Sequence, residues 1–594
     1  MKHLLDTPFD AHLILRKKKA LRRELLGQGG LLDKRIAILG GSTTADVLDM
    51  LELFLLKGGI RPVFHESEYG RFAEDALYEN PELDAFRPDV VYLHTSYANL
   101  TRLPAAADTP EDADRLLAAE LARFAEIWDA LERRHGCLIV QNTFEPPLLR
   151  LLGSQDMVDH RGRTNFVTRL NLGLAEAAGK RKDLLLHDLN YLAARLGLER
   201  WHDPAFWHAY KYALSAEALP HLGHSLASLL LAAFGLTRKC LVLDLDNTLW
   251  GGVIGDDGVE GIKLGQETAQ GEAYQAFQAW VRTMRERGVL LAVCSKNDEE
   301  NALAGLAHPD SLLSPADFAA LAANWEPKHE NIRSLAKAMN IGLDSLLFVD
   351  DNPAEREIVS AQLPEVAVPD LGQDVSEYPR LIDASGLFES VGLSTDDLKR
   401  SRFYAENSRR TEHEARFADY GAYLDSLEMT AEIGPFQPVH LERIAQLTNK
   451  TNQFNLTARR YSLAEIRAVA ENPHMLHLSG RLTDKFGDNG LVSVLIAEVQ
   501  GQSLDILLWL MSCRVLKRGM EDAMFDAVLA QARARGLSEI RAEYLKTPKN
   551  AMVAEHYARL GFTLVGRAEN GDSRWQLTLS EAAQPKNTHI RTLP

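Results

Sequence analysis

Cysteine is scarce in this chain: Cys137, Cys240, Cys294 and Cys513 are the four among 594 residues. Their wide spacing implies neither a disulfide framework nor a zinc site. Long apolar runs are missing too. The N-terminus has no stretch of signal-peptide or membrane-span length, so the expected location is cytoplasmic, with no membrane partner. Positive charge is also short, with 66 lysines and arginines against 83 acidic residues and a net charge of −17. That balance argues against nonspecific nucleic-acid binding. One basic run, Arg16 to Lys19 with Arg22 and Arg23, shares an amphipathic helix with Leu13, Leu21 and Leu25 and reads as a solvated face. The remainder is ordinary globular material, 46% hydrophobic and 25% charged, and 594 residues are too many for one core, so three or four domains are expected.

The run LVLDLDNTLWGG, residues 241 to 252, carries the most chemistry. An apolar strand leads into Asp244-Leu245-Asp246-Asn247-Thr248, and alternation along it predicts that Asp244 and Asp246 share one face at its carboxyl end. Open parallel α/β sheets bind ligands at that end. Two carboxylates there suit a divalent cation, a nucleophile and a proton donor. A second strand, Val289 to Cys294, ends at Ser295 in VLLAVCSKND. Lys328 follows in WEPKHENI, and a third strand, Leu346 to Val349, ends in Asp350-Asp351.

This order resembles the haloacid-dehalogenase (HAD) phosphotransferase superfamily. The resemblance implies that Asp244 attacks phosphorus, that Asp246 protonates the leaving group and then activates water, and that Thr248, Ser295 and Lys328 hold the phosphoryl oxygens. It implies a Mg²⁺ ion on Asp244, Asp246, Asp350 and Asp351. Each role answers a demand of phosphoryl transfer for in-line positioning and positive charge. Ser295 follows Asp246 by 49 positions and Lys328 follows Ser295 by 33, which leaves no room for a cap domain. An open site reachable by a carrier protein is expected, with the loop Trp250 to Gly258 either a small flap or an ordinary turn.

The flanking regions carry weaker motifs. Residues 34–235 alternate strands and helices, and Gly40-Gly41-Ser42-Thr43-Thr44 ends the first strand. This looks like the SGNH hydrolase fold, where a serine in the place of Ser42 is a nucleophile; Ser42 reads as a helix cap or binding residue over a catalytic one, Asn99 as the later asparagine, and His221 and His224 lie in about the region of the closing histidine. After the HAD region, two strands run into Ser512-Cys513-Arg514-Val515-Leu516-Lys517-Arg518-Gly519, a helix follows, and Asn550 precedes YARLGF. This is similar to the GNAT acyltransferase fold, whose loop at a helix N-terminus binds a pyrophosphate. By that likeness Arg514, Lys517, Arg518, Gly519 and Asn550 would hold the phosphopantetheine arm of a carrier. Cys513, between strand and helix and beside three cations, is a candidate nucleophile, with Cys294 its competitor. TNKTNQFNLTARRY (448–461) and DKFGDNGLV (484–492) read as caps and turns or as a polar substrate site with Arg459 and Arg460 as anion clamps.

Together DLDNTLWGGVIGDDG, CSKND, NWEPKHENI, FVDDNP, NKTNQFNLT and MSCRVLKRGME resemble the FkbH-like family of natural-product assembly. The resemblance implies an α/β chain of three domains: an SGNH-like (flavodoxin-like) domain at 34–235, an uncapped HAD core at 236–395 and a GNAT-like α+β domain at 396–580. A helical segment at 1–33 and a flexible tail at 581–594 complete it. It further implies that the glyceryl group of 1,3-bisphosphoglycerate is dephosphorylated and loaded on an acyl carrier protein. A stand-alone HAD phosphatase for a phosphosugar or phosphoprotein, and a noncatalytic scaffold, are the alternatives.

Overall fold

The computed structural model describes residues 3–27, 29–393, 410, 413–414, 416–451, 453–547, 549–579 and 584–593, apart from the side chain of Cys513. The chain is a multidomain α/β protein that divides into two compact units, residues 3–236 and residues 237–594. Among the described residues no helix is long and apolar enough to cross a membrane.

The first unit is built on five parallel strands in the order β2-β1-β3-β4-β5: β1 (Leu32–Gly40), β2 (Ile60–Glu66), β3 (Val90–His94), β4 (Leu138–Asn142) and β5 (Leu184–His187). Every residue of β3 is buried, as expected where helices cover both faces of a sheet. Alternation sorts the strand residues cleanly. Ile36, Ile38, Val90 and Tyr92 share one core with α1 (Ala11–Leu26), α2 (Ala45–Lys57) and a helix at Ala218–Ala233. Ala37, Leu39, Val91 and Leu93 share the other core with helices at Pro110–His135 and Arg163–Lys180. The basic run on α1 is paired rather than merely solvated: Lys18 binds Asp46 and Asp49 of α2 at 2.8 and 2.7 Å, and Arg22 binds Glu52 at 2.6 Å.

The second unit contains two sheets. The first is parallel, in the order β8-β7-β6-β9: β6 (Cys240–Leu243), β7 (Leu290–Ser295), β8 (Ala320–Ala323) and β9 (Leu346–Val349). Between β6 and β7 lie one short helical turn and one helix (Ala269–Glu286); between β7 and β8 lies α3 (Glu299–Leu306). Neither connection contains an inserted domain. Lys328 opens α4 (Lys328–Ala338), which follows β8.

The second sheet runs β16-β17-β15-β14-β13-β12-β10-β18, with β11 also on β14. Its members are β10 (Thr430–Gly434), β11 (Phe454–Asn455), β12 (Met475–Asp484), β13 (Gly487–Gln500), β14 (Ser503–Met511), β15 (Glu539–Tyr544), β16 (Thr563–Arg567), β17 (Ser573–Thr578) and β18 (Arg591–Leu593). α5 (Met520–Ala534) packs closely on β12, where a Cβ at Gly480 would come within 2.3 Å of Met520. β14 and β15 are parallel and pair only over Ser503–Ile506, then diverge. β11 fills the gap that opens, as Phe454 pairs Met511 and the Leu456 carbonyl accepts from Leu545 N at 2.9 Å. Residues 584–593, expected to belong to a flexible tail, are ordered instead. Lys586 and Asn587 donate to Asp526, Ile590 is buried, and β18 pairs β10 in parallel, so an apolar residue and an open sheet edge fix the chain.

Candidate active site

The carboxyl ends of β6 and β9 bring three carboxylates together. Asp244, Asp350 and Asp351 each offer an oxygen, and these oxygens lie within 4.8 Å of one another. Lys328 stands between two of them, its Nζ 2.8 Å from Asp244 Oδ2 and 2.6 Å from Asp350 Oδ2. Burial opposes the charge on Lys328, but the two carboxylates outweigh it and its pKa is raised. Burial and the Asp244 charge push Asp350 up to about 6, although Lys328 and the Asn352 N–H at 2.8 Å favour its anion. Burial, then Asp244, also raises Asp351. Asp244 Oδ1 is buried and has no hydrogen-bond partner. An orphan oxygen in a set of hard carboxylate donors fits Mg²⁺, which takes oxygen ligands and tolerates few protein ones. Thr248, fully buried, accepts from Asp351 N at 3.2 Å and ties the two strand ends together. Ser295, buried, closes β7 beside them.

Asp246 is placed differently from the alternation argument. β6 stops at Leu243, and the chain turns through Asn247 in the left-handed region, φ 53°. The Asp246 carboxylate therefore lies outside the three-oxygen group. Its Oδ1 accepts from Trp250 Nε1 at 2.8 Å and Ile254 N at 3.1 Å, and its Oδ2 from Asn297 Nδ2 at 3.0 Å. Burial raises its pKa and the Asp244 charge adds to that, against the pull of its donors. The loop after Trp250 is anchored: Trp250 and Ile254 are buried, and Trp250 lies against Gly305 of α3. Asn297 and Trp250 were not singled out from sequence. CSKND and the tryptophan after DLDNT were the available signals.

Cys294 faces away from Ser295 into the apolar core between the sheet and α4, with its thiol 3.6 Å from the Lys328 carbonyl. Burial pushes that thiol up to about 12, which removes the thiolate a nucleophile needs. The backbone of Cys513 opens a single turn, Cys513–Val515, directly after β14; its side chain lies outside the described residues. Near it Arg514 is half-buried, and Lys517 is exposed with φ 66°. Gly519, φ 83°, precedes α5, whose first turn holds Glu521 and Asp522.

Two residues expected on the carrier arm are engaged internally. Arg518 is buried and binds Asp484 at 3.3 Å, a carboxylate that also holds Arg410 at 2.8 and 2.9 Å. Asn550 is fully buried. Its amide donates to the Asn455 and Leu545 carbonyls, both at 2.9 Å, and accepts from Thr547 N at 2.8 Å and Tyr544 Oη at 3.1 Å. Its full hydrogen-bond complement serves the insertion of β11. The polar segment 448–461 does the same work: Asn455 accepts from Ala458 N at 2.8 Å, and Thr457 donates to the Leu507 carbonyl at 2.9 Å. Arg460 is half-buried against the Asn449 carbonyl, and burial lowers its pKa to about 10. Arg459 is exposed, 3.9 Å from Glu543.

In the first unit Ser42 is 2% exposed and its hydroxyl has no partner. It is not a helix cap, because Thr44 occupies the cap position of α2. Asn99 donates to the Gly41 carbonyl at 2.7 Å. His221 and His224 pack their rings on Phe9 at 4.8 and 5.7 Å, and among the described residues none hydrogen-bonds the Ser42 hydroxyl.

No protein-family model matches the chain. No curated protein matches it either. Among solved structures it is similar to ribosomal-protein-S18-alanine N-acetyltransferase from Escherichia coli, at 14% identity and a TM-score of 0.21, over 27% of this chain and 100% of that one. Ard1 from Thermoplasma volcanium matches at 16% identity and a TM-score of 0.21, over 26% of this chain and 99% of that one. The chain is also similar to the N-terminal part of protein BF1531 from Bacteroides fragilis, which contains a phosphatase domain and was crystallised complexed with Mg; identity is 29% and the TM-score 0.58, over 63% of this chain and 99% of that one.

Proposed function

We propose that the region around β6 to β9 is a Mg²⁺-dependent phosphomonoesterase of the HAD type. It removes phosphate from a phosphoglyceryl group derived from 1,3-bisphosphoglycerate that is loaded onto an acyl carrier protein. The observation that carries the phosphatase step is the buried Asp244, with one oxygen on Lys328 and the other without a partner. The likeness to a phosphatase-domain protein crystallised with Mg supports the metal. Asp244, Asp350 and Asp351 would hold the cation, which supplies charge to offset the phosphoryl oxygens.

In this reading the Asp244 carboxylate attacks phosphorus, and Lys328 and Ser295 orient the phosphoryl oxygens. The bond from phosphorus to the ester oxygen breaks as Asp246 gives that oxygen its proton. Burial, which raises its pKa, favours the acid form, and its three donors fix where the carboxyl group sits. Asp246 then takes a proton from water, which attacks the aspartyl phosphate and releases inorganic phosphate. Acyl transfer by the C-terminal region, with Cys513 as acceptor, is the second half of the proposal. The internal engagement of Arg518 and Asn550 favours the alternative of a stand-alone phosphatase.

Intact-protein mass spectrometry with holo acyl carrier protein, Mg²⁺ and 1,3-bisphosphoglycerate separates the two. A glyceryl-sized gain on the carrier supports loading, and Asp244→Asn should stop phosphate release by at least about 1,000-fold, roughly 4 kcal/mol. Metal-dependent phosphate release with no carrier adduct supports the stand-alone enzyme. Release at the wild-type rate by Asp244→Asn removes the nucleophile assignment.

A further inference from the structure

Trp325 is the anomaly at the mouth of this site. Its side chain is 70% exposed, yet its orientation is fixed. The indole N–H donates to Asp298 Oδ1 at 2.9 Å. The preceding Asn324 donates its backbone N–H to the Ser295 carbonyl at 3.2 Å, and its side chain exchanges hydrogen bonds with Asn331 of α4 at 2.7 and 3.3 Å. The loop that presents Trp325 is therefore tied to the end of β7 and to the helix that carries Lys328. On the other side, Asp298 adjoins Asn297, which grips Asp246. What sets this ring apart from other exposed apolar side chains is its fixed orientation, which leaves an apolar face free for stacking.

The chain on either side of the indole's hydrogen bond is acidic. Asp298, the Glu299 and Glu300 that follow it, and Glu326 next to Trp325 are all exposed. Lys296, two residues before Asp298, is paired with Glu355 at 2.6 Å. A phosphoryl group held by Lys328, with its ester oxygen toward Asp246, sends the rest of the substrate out across these acids. A second anionic group there meets like charge, while an uncharged chain or ring can lie on the indole.

We propose that Trp325 is a specificity-determining platform that selects phosphomonoesters whose remainder is uncharged. This rests on the phosphatase reading above and deepens it by naming what the site accepts beyond the phosphate. A phosphoglyceryl thioester, with its carboxyl group masked, is accepted, and the free acid is disfavoured.

The test uses the full chain with Mg²⁺ and three esters: 3-phosphoglycerate, its N-acetylcysteamine thioester and 2-naphthyl phosphate. The wild type should prefer both uncharged esters over 3-phosphoglycerate by about tenfold or more in kcat/KM. Trp325→Ala should collapse that preference by about tenfold through KM, and Trp325→Phe should restore most of it. An unaltered preference in Trp325→Ala, or a wild type that favours the free acid, overturns the proposal. If only naphthyl phosphate responds to the substitution, the platform stands and the glyceryl thioester reading falls. If no ester is hydrolysed, both fall.

Discussion

Take away the Lys328 ammonium and Asp244 and Asp350, 6% and 0% exposed, face each other with no cation between them. Breaking a buried charge pair in this way costs about 3 to 5 kcal/mol, because the remaining charge stays out of water. A bound cation would supply part of the missing charge and stabilise by mass action. Lys328→Ala should therefore melt well below the wild type in EDTA, with the gap narrowing as Mg²⁺ is added. Lys328→Arg should recover only part of the loss, since a planar guanidinium does not reproduce a compact ammionium point charge. Thermal melts of the three proteins across a Mg²⁺ series check this. A gap indifferent to Mg²⁺ would mean that the lysine and the metal do not share the same carboxylates. At this scale the sequence is informative for the residues that strand ends present, Asp244, Ser295 and Asp350, because a parallel sheet delivers them by its topology, and for Lys328, which opens the helix after β8. It was silent on Asn297 and Trp250, whose roles come from a turn at Asn247 that strand alternation does not describe.

Elements hold the acid in position through a close approach that only glycine allows. A Cβ at Gly305 would sit 2.6 Å from the Trp250 ring, and Trp250 is fully buried with its N–H on Asp246. Gly305→Ala in α3 would ordinarily help a helix by up to about 1 kcal/mol. Here the methyl group must push the indole aside, and Asp246 loses the alignment of a donor. We expect kcat for phosphate release to fall by about tenfold with KM little altered, and a wild-type kcat would mean that the loop absorbs the shift without moving Asp246. The second sheet shows where reading elements from sequence stops. Asn550 and the run NQFNLT look like ligand contacts because they are polar and lie outside obvious strands. Their function is set by partners far along the chain: β11 meets β14 across Phe454 and Met511, and Asn550 reaches the Asn455 carbonyl. Two paired residues give no periodicity, so only the assembled sheet reveals them. The parallel strands β1, β3, β4, β6, β7 and β9 are legible because each contains a continuous apolar run, while β2, with alternating exposure along IRPVFHE, and β18, whose short polar sequence pairs an edge supplied by β10, are not.

Across the whole molecule, buried titratable groups set how stability varies with pH. In the first unit burial lowers His94 to about 4, and burial followed by the charge of His94 lowers His187 to about 3. Both start from about 6.5 in the unfolded chain, so below that pH the unfolded state binds more protons and stability falls as pH falls. Glu145 acts in the opposite sense. Burial raises it to about 8 from 4.5, with its own and the Tyr97 backbone N–H offsetting part of the rise. The fold keeps this carboxyl protonated where the unfolded chain has released it, so its contribution is full below 4.5 and is lost as pH rises through 8. Between 4.5 and 6.5 two histidines oppose one glutamate and stability rises with pH; between 6.5 and 8 the glutamate acts alone and stability falls. These three groups place a maximum near pH 6.5 for this unit, and each contributes at most about 1.4 kcal/mol per pH unit within its window. His556 in the second unit, lowered to about 3 by burial and then the Arg559 charge, adds to the acid side only. Glu145→Gln should leave the acid limb and flatten the descent from pH 6.5 to 8, read as the urea midpoint of the transition that spectroscopic probes assign to the first unit. Parallel wild-type and variant curves over that range would mean that Glu145 is ionised inside the fold and paired with a cation such as Arg163, which shares with it the neighbourhood of Tyr97.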